Sequence, residues 1–288
     1  KKKIKFPKDI VQGYKNDKGS FWGLSCTYRE GNKCMTPSYA YKIVSKEDEY
    51  PVRLGKKSLR MELRKGDCHQ KREGSHNDCK ASPPAERHEF GIEYDELTGV
   101  NGERWHSHSM FLPSDTPIIN SEWITMGQFH NIDYHKPPVN FDLKNNHFAL
   151  VTRFHCIHPK KINKTCYSNE NSDAIKKIID SSKLFGQWND FIVNANWTSD
   201  IKNGFFKLWV NGELVYHFVG RTVAPDDQLT VQFGIYRGKA RSSGDANHVI
   251  FYDEIRTAKS CKKMKLSKLG YSCKDLENQK IDKIYRLQ

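Results

Sequence analysis

Residues 58–64 read Ser58-Leu-Arg-Met-Glu-Leu-Arg64. Leu59, Met61 and Leu63 fall on one side of a two-residue period, and Arg60, Glu62 and Arg64 on the other. A β-strand turns that alternation into one apolar and one polar face, because successive side chains leave a pleated backbone in opposite directions. Working outward, Glu86 to Ile92, Arg104 to Leu112 (closed by Pro113), Trp123 to His130, Phe148 to Phe154, Gly204 to Val210, Leu214 to Val219, Leu229 to Tyr236 and His248 to Arg256 also read as strands. Asn211-Gly212 is a hairpin signal, since a type I′ turn needs positive φ at both central residues. A polar, cysteine-containing loop spans 66–85 and ends in Pro83-Pro84. Helical patterns are confined to 171–183 and 274–286. Many short strands with no long helix between them predict an all-β chain, an antiparallel β-sandwich.

The 288 residues are about twice the roughly 150 of an average domain. No linker rich in Gly, Ser or Pro and no internal repeat divides them, so one domain over 1–288 is expected, with the Lys-rich stretch from Lys259 packed outside. A composition of 37% hydrophobic and 12% aromatic residues can build a core. No run of about 18 apolar residues exists, which excludes a membrane-spanning helix. The chain opens on Lys1-Lys2-Lys3 without a visible leader, as a mature or trimmed terminus would. The charge balance, 47 − 34 = +13, attracts polyanions: nucleic acid, anionic lipid or acidic polysaccharide. No helix-turn-helix, RNP-type or zinc-finger pattern supports nucleic acid, and neither nucleic acid nor membrane is expected as a partner. A monomer is expected.

The eight cysteines form neighbouring couples: Cys26/Cys34, Cys68/Cys79, Cys156/Cys166 and Cys261/Cys273. An even count in local couples suits short-loop disulfides, although spacing leaves the connectivity open. Disulfides place a protein outside the reducing cytoplasm, secreted or periplasmic. Zinc held by Cys68, His69, His76 and Cys79 is the alternative; no CxxC supports it. Two sequons begin at Asn163 and Asn196.

Several fragments then follow one another in a familiar order: Leu59-Arg-Met-Glu-Leu-Arg64, Glu86-Arg-His-Glu-Phe90, Gly102-Glu-Arg-Trp-His-Ser-His-Ser109 with Leu112-Pro113, Gly127-Gln-Phe-His130, Gly186-Gln-Trp-Asn-Asp-Phe191, Leu208-Trp-Val-Asn-Gly-Glu-Leu214 and Phe233-Gly-Ile-Tyr-Arg237. Over about 55–256 the series resembles the heparin lyase I-like polysaccharide lyases, a group that includes glucuronan lyases. The resemblance implies a β-jelly roll whose concave sheet holds an acidic polysaccharide and cuts it by β-elimination.

Such an elimination removes the weakly acidic C5 proton of a uronate. The carboxylate must be neutralised or hydrogen-bonded, a base must reach the C5 hydrogen, and an acid must protonate the departing O4. The resemblance assigns the base to His130, whose neutral imidazole accepts a proton at mild pH. Gln128, two residues earlier and on the same strand face, is implied as the amide that grips the carboxylate. Tyr236 is the implied acid, a phenol that holds its proton near neutrality and that nearby arginines would lower. In some relatives a lysine stands four residues before this tyrosine; here it is Gln232, which argues against a sulfated heparin substrate. Arg87 is the expected carboxylate neutraliser, through its two-pronged fork, with Glu89 holding it in place and Arg60, Glu62 and Arg64 as the neighbouring row. Arg237 is expected to point to the opposite face from Tyr236 and to line a rim. Asn140, after Pro137-Pro138, is a candidate for sugar hydroxyls.

Two other readings compete. A jelly-roll glycoside hydrolase needs a carboxylate pair about 5–9.5 Å apart, and the nearest candidates, Glu93, Asp95 and Glu96, lead straight into the Gly99 turn. A non-catalytic carbohydrate-binding protein would use the same basic face without cleavage. His106 and His108 share a face and suit two metal ligands, or a polar sheet surface, but no third ligand is evident. General acid–base chemistry requires no cofactor; a structural calcium at Asp253-Glu254 is left open.

Overall fold

A computed structural model of the chain describes residues 6–8, 10–13, 21–22, 28–30, 33–69, 77–82, 84–98, 102–118, 123–131, 136–144, 147–157, 174–225, 227–238 and 246–287. Its strands, in chain order, are β1 (Val11–Gln12), β2 (Phe21–Trp22), β3 (Tyr28–Glu30), β4 (Lys33–Met35), β5 (Tyr41–Ser45), β6 (Lys57–Leu63), β7 (Ala85–Thr98), β8 (Gly102–Phe111) and β9 (Ile124–Asn131). There follow β10 (Val139–Lys144), β11 (His147–Thr152), β12 (Ile175–Ile179), β13 (Trp188–Trp197), β14 (Phe205–Val210), β15 (Glu213–Val219), β16 (Gln228–Gly238), β17 (His248–Ala258) and β18 (Tyr285–Arg286). Two short helices, α1 (Cys261–Met264) and α2 (Cys273–Asn278), lie near the C-terminus.

Most strands form two sheets. One runs β18-β15-β14-β13-β8-β17-β6-β5, with β1 also paired to β17; the other runs β12-β11-β10-β9-β16-β7-β2. Neighbours are antiparallel except β1 with β17 and β15 with β18, two edge pairings that are parallel. The predicted β14–β15 hairpin turns at Asn211 and Gly212, both at positive φ.

Alternation builds the core. Leu59, Met61 and Leu63 from β6 meet Phe90, Phe129, Phe141, Phe191 and Phe233 between the sheets, all at most 2% exposed. His106 and His108 belong here rather than on a polar surface. Phe129 stands edge-on to the ring of His106, and Phe191 stacks on that of His108. Burial pulls both imidazoles below their ordinary range, His108 to about 3, so both are neutral. Phenylalanines had filled the flanking inner positions, and a neutral imidazole packs among them as an aromatic.

Tyr252 ties the sheets together. It comes from β17, crosses the core, and donates toward the Gly234 carbonyl at 2.9 Å and the Met126 carbonyl. Gly234 sits at φ +140, and a Cβ there would lie 2.1 Å from the His88 carbonyl oxygen and 2.7 Å from the Glu89 Cα. Gly234→Ala is therefore expected to cost about 2–4 kcal/mol, from backbone strain and overpacking together. Denaturant unfolding checks it, and a midpoint equal to wild type refutes it.

Three expectations are corrected here. Residues 174–183, read as part of a helix, form strand β12 and a 3-10 turn. The C-terminal helix is only α2, and β18 follows it. Arg60, Glu62 and Arg64 do not form a row beside Arg87. They face outward from β6 in the nine-stranded sheet, where Arg60 and Arg64 clamp Glu62 at 2.7 and 2.5 Å. Alternation separates two faces of a strand but does not say which sheet the strand joins.

The Lys-rich C-terminal stretch lies against the nine-stranded sheet. Met264, Leu266, Leu269 and Leu276 close over Trp105, Ile192 and Trp209 on the outer face of the nine-stranded sheet. Cys261 and Cys273 are bridged there, their Cα atoms 5.7 Å apart. Cys68 and Cys156 are also disulfide-bonded, which removes Cys68 as a zinc thiolate. Cys26 and Cys166 lie outside the described residues, as do the side chains of Cys34 and Cys79. No helix of the described residues is long and apolar enough to cross a membrane.

Candidate active site

The central strands of the seven-stranded sheet, β7, β16, β9 and β10, bring the candidate residues to one face. Phe90, Phe129, Phe141 and Phe233 take the inward positions. The alternate residues therefore point outward: Arg87 and Glu89 from β7, Gln232 and Tyr236 from β16, Gln128 and His130 from β9, and Asn140 from β10. Register arranges them. Gln128 stands between Gln232 and Asn140, His130 opposite Thr230, and Tyr236 between Thr125 and Arg87.

His130 is half-buried, and its Nδ1 is hydrogen-bonded to the Asn131 carbonyl. A carbonyl only accepts, so Nδ1 carries the proton and Nε2 is the basic nitrogen. That is the tautomer a general base requires. Gln128 is 3% exposed, and its Nε2 donates to Glu89 Oε1 and to Gln232 Oε1, each at 2.8 Å. Both amide hydrogens are thus held by side chains of the face.

Arg87 is more constrained than its sequence position implies. Its Nε and Nη2 donate to the carboxylate of Asp78 at 2.5 and 3.1 Å, and its Nη1 reaches Glu89 at 3.4 Å. The two-pronged edge expected for a substrate carboxylate is therefore spent on Asp78. The guanidinium lies over the Tyr236 ring, 3.7 Å from its centroid, and Trp123 flanks the same ring at 4.5 Å. Burial pushes the Tyr236 phenol up; Arg87 pulls against it without reversing the direction. The phenol keeps its proton, as an acid must, although arginine does not lower it on balance.

Tyr236 and His130 share this face but stand apart on it. Their partner positions on β9, Thr125 and His130, are five residues from one another, roughly 16 Å of strand. Tyr236, Arg87, Glu89, Gln128 and His130 form a polar row, and a sugar that uses both ends must lie between them.

Arg237 is corrected. It does point away from Tyr236, but into the core and not to a rim: it is 0% exposed, pairs with Glu86 at 2.8 Å and contacts His248 Nδ1 at 2.7 Å. The calcium candidates Asp253 and Glu254 have partners within the chain. Asp253 accepts the backbone N–H groups of Arg53, Leu54 and Glu254, and Glu254 pairs with Arg256. Among the described residues no three His, Cys, Asp or Glu side chains are grouped to hold a metal. Sequence reasoning missed Asp78, Trp123 and Arg153. Asp78 sits in the cysteine loop with nothing local to mark it. The period-two pattern of Phe148 to Phe154 puts Arg153 beside Ala149 and Val151 without saying which face is the site.

Glu89 supplies a pH dependence. It is 5% exposed, and burial outweighs Arg87 and Gln128 to push its carboxyl up to about 7. The folded protein binds this proton more tightly than the unfolded chain does. Stability from this group is therefore full below about pH 4.5 and declines as pH rises to about 7, by about 3 kcal/mol at most. An anionic sugar beside it favours the protonated form, so the apparent KM should rise as pH passes 7. Glu89→Gln is expected to flatten that rise; an identical KM profile in the variant contradicts the assignment.

A polysaccharide lyase family model matches residues 34–256. Among curated proteins none matches the chain. Among solved structures the chain is similar to an endo-β-1,4-glucuronan lyase from the fungus Trichoderma reesei, at 13% identity and TM-score 0.52, over 83% of this chain and 95% of that one. It is also similar to the alginate lyase AlgAT5 of polysaccharide lyase family 7, at 14% identity and TM-score 0.50, over 88% and 96%. The sandwich is thus the jelly roll of these lyases. With more than half of its length matched, the chain belongs to the polysaccharide lyase family, carbon–oxygen lyases that cut uronic-acid polysaccharides by β-elimination.

Proposed function

We propose that this lyase acts outside the cytoplasm on an unsulfated polyuronate of the glucuronan or alginate class, on the outer face of the seven-stranded sheet. The observation that carries the site is the His130 tautomer: Nδ1 is held by the Asn131 carbonyl and Nε2 is basic, on a strand whose Gln128 belongs to the same polar row. His130 takes the C5 proton, and Tyr236 returns a proton to O4 from the other end of the row. Gln128, whose amide hydrogens are held by Glu89 and Gln232, fixes the Gln232 side chain, and Gln232 presents its remaining amide N–H to the uronate carboxylate. Arg87, already neutralised by Asp78, orients the Tyr236 ring and lowers the cost of negative charge beside it. A neutral Gln232, where some relatives carry lysine, and the glucuronan and alginate lyase neighbours both favour a carboxylated over a sulfated chain. The disulfides favour the oxidising location.

The test is an ultraviolet screen of the purified protein against glucuronan, alginate and heparin. Unsaturated uronate absorbing near ~235 nm should form from one of the first two. Activity on heparin alone overturns the substrate class, and binding without any new absorbance overturns catalysis in favour of a carbohydrate-binding protein.

A further inference from the structure

Arg153 follows β11 and continues its pairing, with its backbone N–H donating to the Pro138 carbonyl at 2.8 Å. Phe148 and Leu150 belong to the core cluster, so Val151 and Arg153 take the outward positions, beside Asn140. The guanidinium is aimed rather than loose: its Nη1 donates to Asn140 Oδ1 and to the Pro137 carbonyl, each at 2.9 Å. Asn140 is fixed in turn by Thr125 at 3.2 Å, and it stands directly across from Gln128.

Among the described residues no carboxylate lies within ion-pairing distance of Arg153. The nearest acid, Asp142, accepts from Thr125 at 2.7 Å and faces Lys144 Nζ at 3.6 Å. Burial pulls the Arg153 guanidinium below its ordinary range, with Asp142 the one counterweight. The other arginines considered for the site are committed: Arg87 to Asp78, Arg237 to Glu86, and Arg60 and Arg64 to Glu62 on the other sheet. A cation largely removed from water without a paired anion is costly. The cost is relieved when an external carboxylate completes the fork.

We propose that Arg153, held by Asn140, is a second carboxylate-binding subsite of this face, occupied by a uronate unit neighbouring the one that reacts. Gln128 and Arg153 are separated by two strand spacings, roughly 10 Å. Gln232, which offers its amide to the reacting uronate, lies one strand further from Arg153, and the two are assigned to different units of one polymer, which then crosses the strands from β16 toward β11. The proposal rests on the lyase reading for its kinetic test, but its binding test does not.

Arg153→Gln should raise KM for the polyuronate at least about tenfold and leave kcat within about twofold, with Arg153→Lys between the two. Retention in affinity electrophoresis should fall for the acidic polymer and stay unchanged for the same polymer with its carboxyls reduced to alcohols. Equal KM in wild type and Arg153→Gln overturns the subsite. So does an equal loss of retention on both polymers, or a KM shift that disappears once activity is corrected for a lower melting temperature. If wild type cleaves no polyuronate, the lyase reading fails by itself, and the retention difference alone then decides Arg153.

Discussion

His130→Ala is expected to lower kcat by about 10²–10⁴-fold, the range for losing a general base, with KM and melting temperature close to wild type. The side chain is half-buried at the end of the polar row, and its Nδ1 is bonded to the adjoining carbonyl. Truncation therefore opens no core cavity. What disappears is the basic Nε2 that this end of the row offers to C5. Tyr236→Phe is the companion experiment. It keeps the ring under Arg87 and beside Trp123 and removes only the hydroxyl. If the phenol protonates O4, kcat should again fall by about 10²-fold or more. If His130→Ala is inactive and Tyr236→Phe is not, then His130 serves both proton transfers, which the roughly 16 Å of strand between their positions would explain. Near-normal rates in both variants would refute the site.

Asp190→Ala should be a damaging change away from the site. Asp190 is 3% exposed on β13. It accepts Arg53 Nε and Nη2 at 3.0 and 2.8 Å, Ser109 Oγ at 2.6 Å and Tyr271 Oη at 2.6 Å. One carboxylate thus pins the segment before β6, the central strand β8 and the C-terminal cap. Removing it strands a partly buried guanidinium and two hydroxyls, and about 3 kcal/mol should be lost, a fall in Tm of roughly 6–10 °C. Burial pushes this carboxyl up, but Arg53, Ser109 and Tyr271 together outweigh it and hold it below the ordinary range. The sign follows: its stabilisation is complete above the unfolded carboxylate range and is lost as pH falls through the lowered value. A thermal melt of the variant within 1–2 °C of wild type, a shift of well under ~1 kcal/mol, would show that the hub carries little.

Local periodicity settled the strands, since pleat direction depends only on neighbouring residues. The faces of β6, β9 and β16, the Asn211-Gly212 turn and the outward sharing of Gln128 with His130 were all legible in the chain. So was the lyase resemblance, because it lies in ordered short motifs. Three-dimensional packing decided the rest. The Arg60-Glu62-Arg64 strand joined the opposite sheet, and His106 and His108 went into a phenylalanine core. Within 174–183, Ile175–Ile179 became strand β12 by pairing with β11. Asp78, distant from β7 in the local pattern, took the fork of Arg87, and Arg153 was left aimed, with no paired carboxylate among the described residues. Such outcomes depend on which charges and rings meet across strands far apart in sequence, and the energy of those meetings exists only once the sheets have closed on one another.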